Sequence, residues 1–237
     1  MNKTIIELKD VWKIYQMGQI EVPALQGIDL KINRGEFVAI VGPSGSGKST
    51  MMNLVGCLDL PTKGGIYLDG QNIGHLNESK LAQIRGRKIG FVFQQFNLIP
   101  TLTALENVML PLAFQGVDDS KARKKALKLL ELVGLGDRMS HLPTQLSGGQ
   151  MQRVSIARAL ANDPEVILAD EPTGNLDSTT GRFIMDFLGR IHQGDSKTVV
   201  MVTHDLNLSK AAEKVVHIKD GKVEKIETIR RKGEEDK

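Results

Sequence analysis

One glycine-rich segment limits the possible folds of this chain more than any other part of it. Residues 42–50 read GPSGSGKST and fit the pattern G-x-x-x-x-G-K-[ST] without a mismatch. The segment follows a continuous apolar stretch, residues 37–41, and precedes a helical pattern that starts near Lys48. Glycines let the backbone N–H groups turn toward a phosphate, and the helix N-terminus adds the positive end of its dipole. A strand, this loop and a helix therefore predict a site for a nucleoside triphosphate.

The residues of this loop have separate tasks. Lys48 can reach the β- and γ-phosphates, and the hydroxyl of Ser49 can coordinate Mg²⁺. The alternative, a glycine-rich turn without a ligand, is disfavoured by the Lys-Ser pair and by the flanking strand and helix. The motif does not distinguish kinases, GTPases, helicases and transport motors. The predicted nucleotide-binding residues of the loop are Gly42, Ser44, Gly45, Ser46, Gly47, Lys48, Ser49 and Thr50.

A pair of carboxylates follows a second apolar strand. Residues 166–169 read VILA, and Asp170 and Glu171 come directly after them. Ligands of open parallel sheets bind at the carboxyl ends of the strands, so this pair should lie near the phosphate loop. We expect Asp170 to hold Mg²⁺ and Glu171 to polarise or deprotonate the attacking water.

Two further polar residues also follow strand-like segments. His204 comes after the apolar residues 199–203, where an imidazole can contact the γ-phosphate; the alternative is a histidine that caps the next helix. Gln94 comes after residues 89–93, where its amide can reach Mg²⁺ or the water; the alternative is a solvated loop glutamine. Beside a complete phosphate loop, the catalytic interpretation is favoured for His204, whereas chemistry alone supports Gln94 only weakly.

Composition excludes several protein classes. With 237 residues, 41% apolar residues and a net charge of +3, the chain is not expected to be disordered. The single cysteine, Cys57, excludes a disulfide framework and a cysteine-based zinc site. No apolar run approaches the roughly 18 residues of a membrane-spanning helix. The basic run at residues 121–128 contains no aromatic residues, so we interpret it as a solvated helix face and expect no nucleic-acid partner.

The order of the elements indicates a sheet with a helical insertion. Strand and helix patterns alternate at both ends of the chain, which predicts a largely parallel sheet. From about residue 103 to residue 161 the pattern is mostly helical. We expect one domain, 1–237, in which residues 1–94 and 162–237 form the nucleotide-binding core and residues 95–161, approximately, form a helical subdomain.

A second candidate anion site precedes one of these helices. Residues 146–150 read LSGGQ, in which a serine and two glycines expose N–H groups at a helix N-terminus. A protein needs only one such site for each γ-phosphate. The second site becomes intelligible if it serves a nucleotide held by another subunit.

Taken in order, these segments resemble the ATP-binding cassette (ABC) family, and the resemblance spans nearly the whole chain. It implies an α/β fold: a P-loop NTPase core with a mostly parallel sheet, an N-terminal antiparallel β-subdomain and an inserted α-helical subdomain. It also implies ATP hydrolysis with Mg²⁺. The matching positions are Tyr15, residues 42–50, Gln94, LSGGQ at 146–150, VILADE at 166–171, residues 175–177 and His204.

The resemblance also implies a paired arrangement of subunits. Two chains would form an ATP-dependent homodimer, head to tail, with ATP between the phosphate loop of one chain and the LSGGQ segment of the other. Asp177 would cross the interface, and Tyr15 would stack on adenine, which strand parity permits because Tyr15 should face opposite to Trp12. Ser147, Gly149 and Gln150 would bind the nucleotide of the other chain. The residues implied to be catalytic are Lys48, Gln94, Glu171 and His204. Ser49, Gln94 and Asp170 would hold the metal.

The resemblance further implies a membrane partner. Gln94 would couple hydrolysis, through the helical block, to a separate membrane-spanning transporter subunit, with this chain on the cytoplasmic face of the cell membrane. Residues 90–112 and 170–181 look like the cassettes of lipoprotein release, macrolide export and cell division. Asn175 stands where many relatives have a small residue, and we expect little effect on hydrolysis from it. The alternatives are a soluble cassette protein acting on DNA or ribosomes, and an importer motor.

Overall fold

The computed structural model describes residues 3–229 of the chain. Its N-terminal part contains a small antiparallel sheet. The strands of this sheet are β1 (Thr4–Met17), β2 (Ile20–Asn33), β4 (Lys63–Leu68) and β5 (Gln71–Asn72), in the order β2-β1-β4-β5. Alternating apolar and polar residues predict strands over residues 5–11 and 25–32. β1 and β2 extend beyond both because they continue into a hairpin whose distal residues are mostly exposed. Exposed residues leave no alternating apolar pattern to read from the sequence.

A second, six-stranded sheet forms the centre of the molecule. Its strands are β3 (Phe37–Val41), β6 (Ile89–Val92), β7 (Val166–Asp170), β8 (Thr198–Thr203), β9 (Lys214–Lys219) and β10 (Lys222–Thr228), in the order β10-β9-β3-β8-β7-β6. All neighbours from β9 to β6 are parallel, and β10 pairs with β9 antiparallel. β3 and β8 are buried along their whole length, as continuous apolar sequences predict.

The parallel register brings the candidate catalytic residues to one edge of the large sheet. Val41 pairs with Thr203, and Asp170 pairs with Val202. The carboxyl ends of β3, β7 and β8 therefore lie side by side at one edge of the sheet. The segments that leave these three strands, which include the phosphate loop, Glu171 and His204, emerge next to one another.

The helices complete the α/β architecture. They are α1 (Lys48–Val55), α2 (Glu78–Lys88), α3 (Ala104–Phe114), α4 (Asp119–Leu132), α5 (Gly148–Leu160), α6 (Ser178–Asp195) and α7 (Leu206–Ser209). In sequence, α3, α4 and α5 lie between β6 and β7. The three helices pack against one another around buried residues such as Ala126, Leu130 and Val154. The predicted fold class is confirmed. Among the residues described, no helix is both long and apolar enough to cross a lipid bilayer.

Some elements differ from the sequence prediction. α2 was not predicted, because only Leu81 of its eleven residues is buried and it therefore has no apolar face to recognise. The sequence pattern predicts a short helix around residues 206–212, whereas α7 ends earlier, at Ser209. It also predicts a helix over residues 179–191, whereas α6 continues to Asp195.

Four charged side chains join the two sheets at the edge opposite the phosphate loop. Lys88 Nζ lies 2.6 Å from Asp69 Oδ2 and 3.3 Å from Glu165 Oε1, and Arg34 bonds to both carboxylates. Hydrogen bonding from Lys88, and then from Arg34, lowers the pKa of Asp69 despite its partial burial. These alternating positive and negative side chains hold the amino-terminal ends of the core strands against the small sheet.

Candidate nucleotide-binding site

A cavity of about 600 Å³ lies at the carboxyl edge of the large sheet. It brings together three parts of the chain that are far apart in sequence: the phosphate loop, the end of β7 and the end of β8. β2 contributes one further wall through Ala24. The lining residues are Ala24, Ser44, Gly45, Gly47, Lys48, Ser49, Thr50, Glu171 and His204.

The backbone of the phosphate loop requires glycine at two positions. Gly47 has φ +102°, and a Cβ there would lie 2.5 Å from the carbonyl oxygen of Ala24. A Cβ at Gly42 would lie 2.0 Å from the carbonyl oxygen of Ile218. Any side chain at either position would push the loop away from its neighbours, so these glycines set the path of the loop.

The polar groups of the loop fit an anionic ligand. Ser46 is 2% exposed, and its hydroxyl has no hydrogen-bond partner among the described residues. Lys48 is also buried, and its Nζ donates to the carbonyl oxygen of Pro43 at 2.7 Å. A buried hydroxyl without a partner and a buried ammonium group are costly unless a ligand satisfies them. Phosphate oxygens would satisfy both, and the N-terminus of α1 faces the same cavity.

Glu171 and His204 form a hydrogen-bonded pair in this cavity. Glu171 Oε1 lies 2.9 Å from His204 Nδ1. The backbone of Glu171 has φ +43°, and its N–H donates to the carbonyl oxygen of Val202 at 2.9 Å, which turns the chain sharply after β7. A carboxylate held by an imidazole at the edge of a phosphate site is placed to accept a proton from water.

Asp170 is half-buried at the end of β7. Burial, followed by the neighbouring charge of Glu171, raises the pKa of Asp170, and Lys48 opposes this effect. A cation at this carboxylate would relieve the cost of its negative charge. Among the described residues, no group of three or more His, Cys, Asp or Glu side chains is arranged to hold a metal ion. A Mg²⁺ ion that takes one or two protein ligands and completes its shell with phosphate and water fits this donor set.

Gln94 lies beside Glu171 without lining the cavity. A Cβ placed at Gly174 would lie 2.8 Å from Gln94 Nε2 and 3.4 Å from Glu171 Oε2, so both side chains pack against this glycine. Asn175 Nδ2 donates to the main-chain oxygen of Gln94 at 3.2 Å. The structure therefore brings the Gln94 amide close to the carboxylate of Glu171.

The LSGGQ segment is not part of this cavity. Ser147 caps α5: its hydroxyl accepts from Gln150 N at 3.3 Å, and Gln150 Oε1 accepts from Ser147 N at 2.8 Å. Gly149 faces α6, where a Cβ would lie 2.5 Å from Thr180 Cγ2. None of these residues lines the phosphate-loop cavity. Within one chain, the two predicted anion sites are separate.

Tyr15 and Asp177 also lie outside the cavity. Tyr15 is 37% exposed on β1, and its hydroxyl donates to Asp59 Oδ2 at 3.2 Å. The β1–β2 register shifts twice between Val11 and Ile14, and both shifts place an extra residue in β2 rather than in β1. The alternation of side chains along β1 therefore continues to Tyr15, and its stacking on adenine stays a prediction. Asp177 caps α6 and accepts from the backbone N–H groups of residues 179 and 180, both at 3.0 Å.

Comparison with known proteins assigns the family. The family model described as "ABC transporter" matches residues 25–174. The chain belongs to the ABC transporter family. It is 54% identical over 225 residues to an uncharacterized ABC transporter ATP-binding protein of Thermotoga maritima, covering 95% of this chain and 96% of that protein. It is 50% identical over 222 residues to the macrolide export ATP-binding/permease protein MacB of Syntrophobacter fumaroxidans, covering 93% of this chain and 31% of that protein.

Solved structures of ABC cassettes have the same fold. A dimeric structure of the cassette MJ0796, in a post-hydrolysis state bound to ADP and Pi, superposes with a TM-score of 0.90 at 52% identity, covering 96% of this chain and all of that one. MJ0796 is an ABC transporter ATP-binding protein of Methanocaldococcus jannaschii. The sequence resemblance to the ABC family is therefore confirmed, and the chain is an ATPase of this family.

Sequence reasoning missed two residues close to the site of this ABC ATPase. Arg158 donates to the main-chain oxygens of Phe96 and Asn97, and Asn175 donates to that of Gln94. Both act on backbone carbonyls that are at least 60 positions away. A bond to a backbone carbonyl does not depend on the residue type that carries it, so no motif indicates these contacts.

Proposed function

We propose that this chain works as one of two identical subunits that bind two ATP molecules between them and hydrolyse them to drive a membrane-spanning partner. The separation of the phosphate-loop cavity from the LSGGQ segment carries this proposal, because two donor sets for one γ-phosphate lie apart within one chain. A two-fold axis that sets the phosphate loop of each chain against Ser147 and Gly149 of the other would complete two sites at once. The dimeric ADP- and Pi-bound MJ0796 supports this arrangement.

Each residue of the proposed site has a physical task. The phosphate loop and Lys48 bind and orient the phosphates, and the hydroxyl of Ser147 and the N-terminus of α5 add donors from the second chain. Glu171 accepts a proton from the attacking water, and its hydrogen bond to His204 fixes the direction of the carboxylate. Tyr15 would stack on adenine, and Asp177 would lie at the interface between the two chains.

A magnesium ion completes the proposed site. Ser49, Asp170 and Gln94 are the side chains that would hold it, either directly or through water. When bound, Mg²⁺ supplies positive charge to the phosphate oxygens during transfer. The raised pKa of Asp170 is consistent with a carboxylate that needs a cation nearby.

Mixing two inactive variants tests the shared site. We expect Lys48→Ala, which removes the phosphate-loop cation, and Ser147→Arg, which blocks the opposite half, each to be inactive alone. In a mixed dimer, the phosphate loop of the Ser147→Arg chain meets the intact Ser147 of the Lys48→Ala chain. Random pairing leaves half the dimers mixed with one good site each, so mixing should restore up to about a quarter of the normal ATPase rate. A mixture that stays inactive at every ratio would contradict the shared site.

We also propose where the membrane partner docks. A groove of about 830 Å³ lies between α2 and β6 on one side and α3 and α5 on the other. Its lining combines the aromatic residues Phe91, Phe93 and Phe114 with Arg85 and Arg87, and it includes no Asp or Glu. Phe114 is 79% exposed. Among the residues described, Arg85 and Arg87 form no salt bridge. An exposed aromatic ring beside such cations suits a short amphipathic segment that carries apolar and acidic side chains. The permease-containing MacB relatives support a partner of this kind, with this chain on the cytoplasmic face of the membrane.

Paired charge substitutions test the docking groove. Phe114 ends α3 at the groove, and Leu132 ends α4 outside it; both are exposed. We expect Phe114→Glu to abolish co-purification of an integral membrane protein with the affinity-tagged chain from detergent-solubilised membranes, because it adds an acidic group to the face that meets an acidic segment. Leu132→Glu should leave co-purification unchanged. Equal recovery of the membrane protein with both variants would contradict this docking site.

The proposed work of the complex follows its relatives. The likeness to MacB at 50% identity supports macrolide export. Peptide export, lipoprotein release and mechanotransmission are supported only by the sequence resemblance of residues 90–112 and 170–181. We also propose that residues 1–94 and 162–237 act as the nucleotide-binding core and that residues 95–161, approximately, transmit its motion to the partner. Contacts with cargo would then belong to the partner subunit.

A further inference from the structure

The loop that carries Gln94 has an unusual backbone. After β6, Phe96 and Asn97 have φ values of +58° and +49°. Two consecutive residues in the left-handed region are costly for side chains other than glycine, and such a conformation persists when its surroundings hold it. The hydrogen bonds of this loop therefore show what fixes the position of Gln94.

Arg158 of α5 holds one end of the loop. Its Nη1 donates to Asn97 O at 2.6 Å, and its Nη2 donates to Phe96 O at 2.8 Å. Burial lowers the pKa of this guanidinium, and the side chain forms no ion pair among the residues described. The planar fork is well suited to two adjacent carbonyl groups. Arg158 thereby ties the loop to the helix that begins with the LSGGQ segment.

Asn175 holds the other end. Its Nδ2 donates to Gln94 O at 3.2 Å from the loop that joins Glu171 to α6. That loop is itself tied to Glu171, because Gly174 N donates to Glu171 O at 3.0 Å. The contact of Gln94 Nε2 with Gly174 leaves no room for a methyl group between them. The main chain and the side-chain amide of Gln94 are thus both placed by the residues that follow the catalytic carboxylate.

We infer that Arg158 and Asn175 are positioning residues for Gln94, which hold its loop between the LSGGQ helix and the segment after Glu171. A shift of either element moves the Gln94 amide relative to the carboxylate of Glu171. Closure on the second subunit at LSGGQ is thereby linked to the hydrolytic residues of the same chain. The inference rests on the proposed role of Gln94 in hydrolysis.

Asn175→Ala tests this role, because Asn175 is exposed and its removal leaves no cavity. We expect kcat to fall about threefold to tenfold, the usual effect of one lost hydrogen bond, with KM for ATP and Tm unchanged. Asn175→Asp cannot donate to the Gln94 carbonyl and should lose at least as much. Asn175→Gln keeps a donor and should retain more than half of the rate. This outcome would reverse the small effect expected from the sequence. A normal kcat for Asn175→Ala would overturn the inference, and a fall in Tm that accounts for the lost rate would do the same.

A double-mutant cycle separates this inference from the function on which it rests. If Asn175 acts through Gln94, Asn175→Ala should lower kcat much less in a Gln94→Ala background than in the wild type. Equal effects in both backgrounds would overturn the positioning role. A normal kcat for Gln94→Ala would instead overturn the proposed function of Gln94. Arg158→Lys, which keeps the charge but loses the fork, should show the same non-additivity with Gln94→Ala.

Discussion

Lys48→Ala is expected to lower ATP hydrolysis about 100- to 1,000-fold, because it removes the buried cation of the phosphate loop. The ammonium group donates to Pro43 O at 2.7 Å, and it forms no salt bridge within the described part of the chain. The charge is therefore available for a phosphate. Its loss should weaken nucleotide binding as well as catalysis, since the phosphates lose their fixed positive partner in both states.

The measurement is steady-state phosphate release combined with calorimetric titration of ATP. Lys128→Ala is a suitable control, because Lys128 is exposed on α4 and lies outside the cavity. It should hydrolyse ATP at the normal rate. Thermal unfolding of both variants shows whether the loss of the Pro43 contact affects the fold. A folded Lys48→Ala variant with normal turnover would remove the basis for assigning the phosphates to this loop.

Glu171→Gln is expected to lower the rate of hydrolysis about 100- to 10,000-fold while leaving ATP binding intact. The amide has nearly the same shape as the carboxylate, and its oxygen can still face His204 Nδ1. It cannot take a proton from water at neutral pH. Single-turnover hydrolysis with ATP bound measures the chemical step directly, and calorimetry measures binding.

Glu131→Gln is the matched control for this substitution. Glu131 is an exposed residue of α4, so the same change of charge there should leave both hydrolysis and binding normal. If Glu171→Gln retained a normal single-turnover rate, the proton acceptor would be another group. If the variant failed to bind ATP, Glu171 would have a binding role that the proposed site does not give it.

The sequence predicted the core of the fold because its strands are buried on both faces. The sequence pattern predicts strands over residues 37–41 and 198–203, and these agree with β3 and β8 at both ends, since only apolar residues lie between the two ends of each strand. The parallel order then predicted that the phosphate loop, Glu171 and His204 would meet, as they do in the cavity. Strands buried on both faces and loops that require glycine are therefore the parts of this fold that sequence patterns predict best.

Other parts of the structure depend on tertiary contacts that could not be predicted from the sequence. Tyr15 bonds to Asp59, which is 44 positions away, and no sequence pattern indicates that contact. α2 has a polar composition and one buried residue, which resembles a solvated loop in sequence. Arg158 and Asn175 hold distant backbone carbonyls, and such contacts exist only after folding. The LSGGQ motif was recognisable, but its separation from the phosphate loop is a property of the three-dimensional structure.

The shared site is tested most directly by the solution mass of the Glu171→Gln variant, measured by light scattering after size-exclusion chromatography. With saturating ATP and Mg²⁺, a species of twice the mass of one chain is expected, because both composite sites are filled and neither can hydrolyse its nucleotide. With ADP, or in the Lys48→Ala/Glu171→Gln double variant, the mass of a single chain is expected. A Glu171→Gln variant that binds ATP by calorimetry and still runs at the mass of one chain would contradict the shared site.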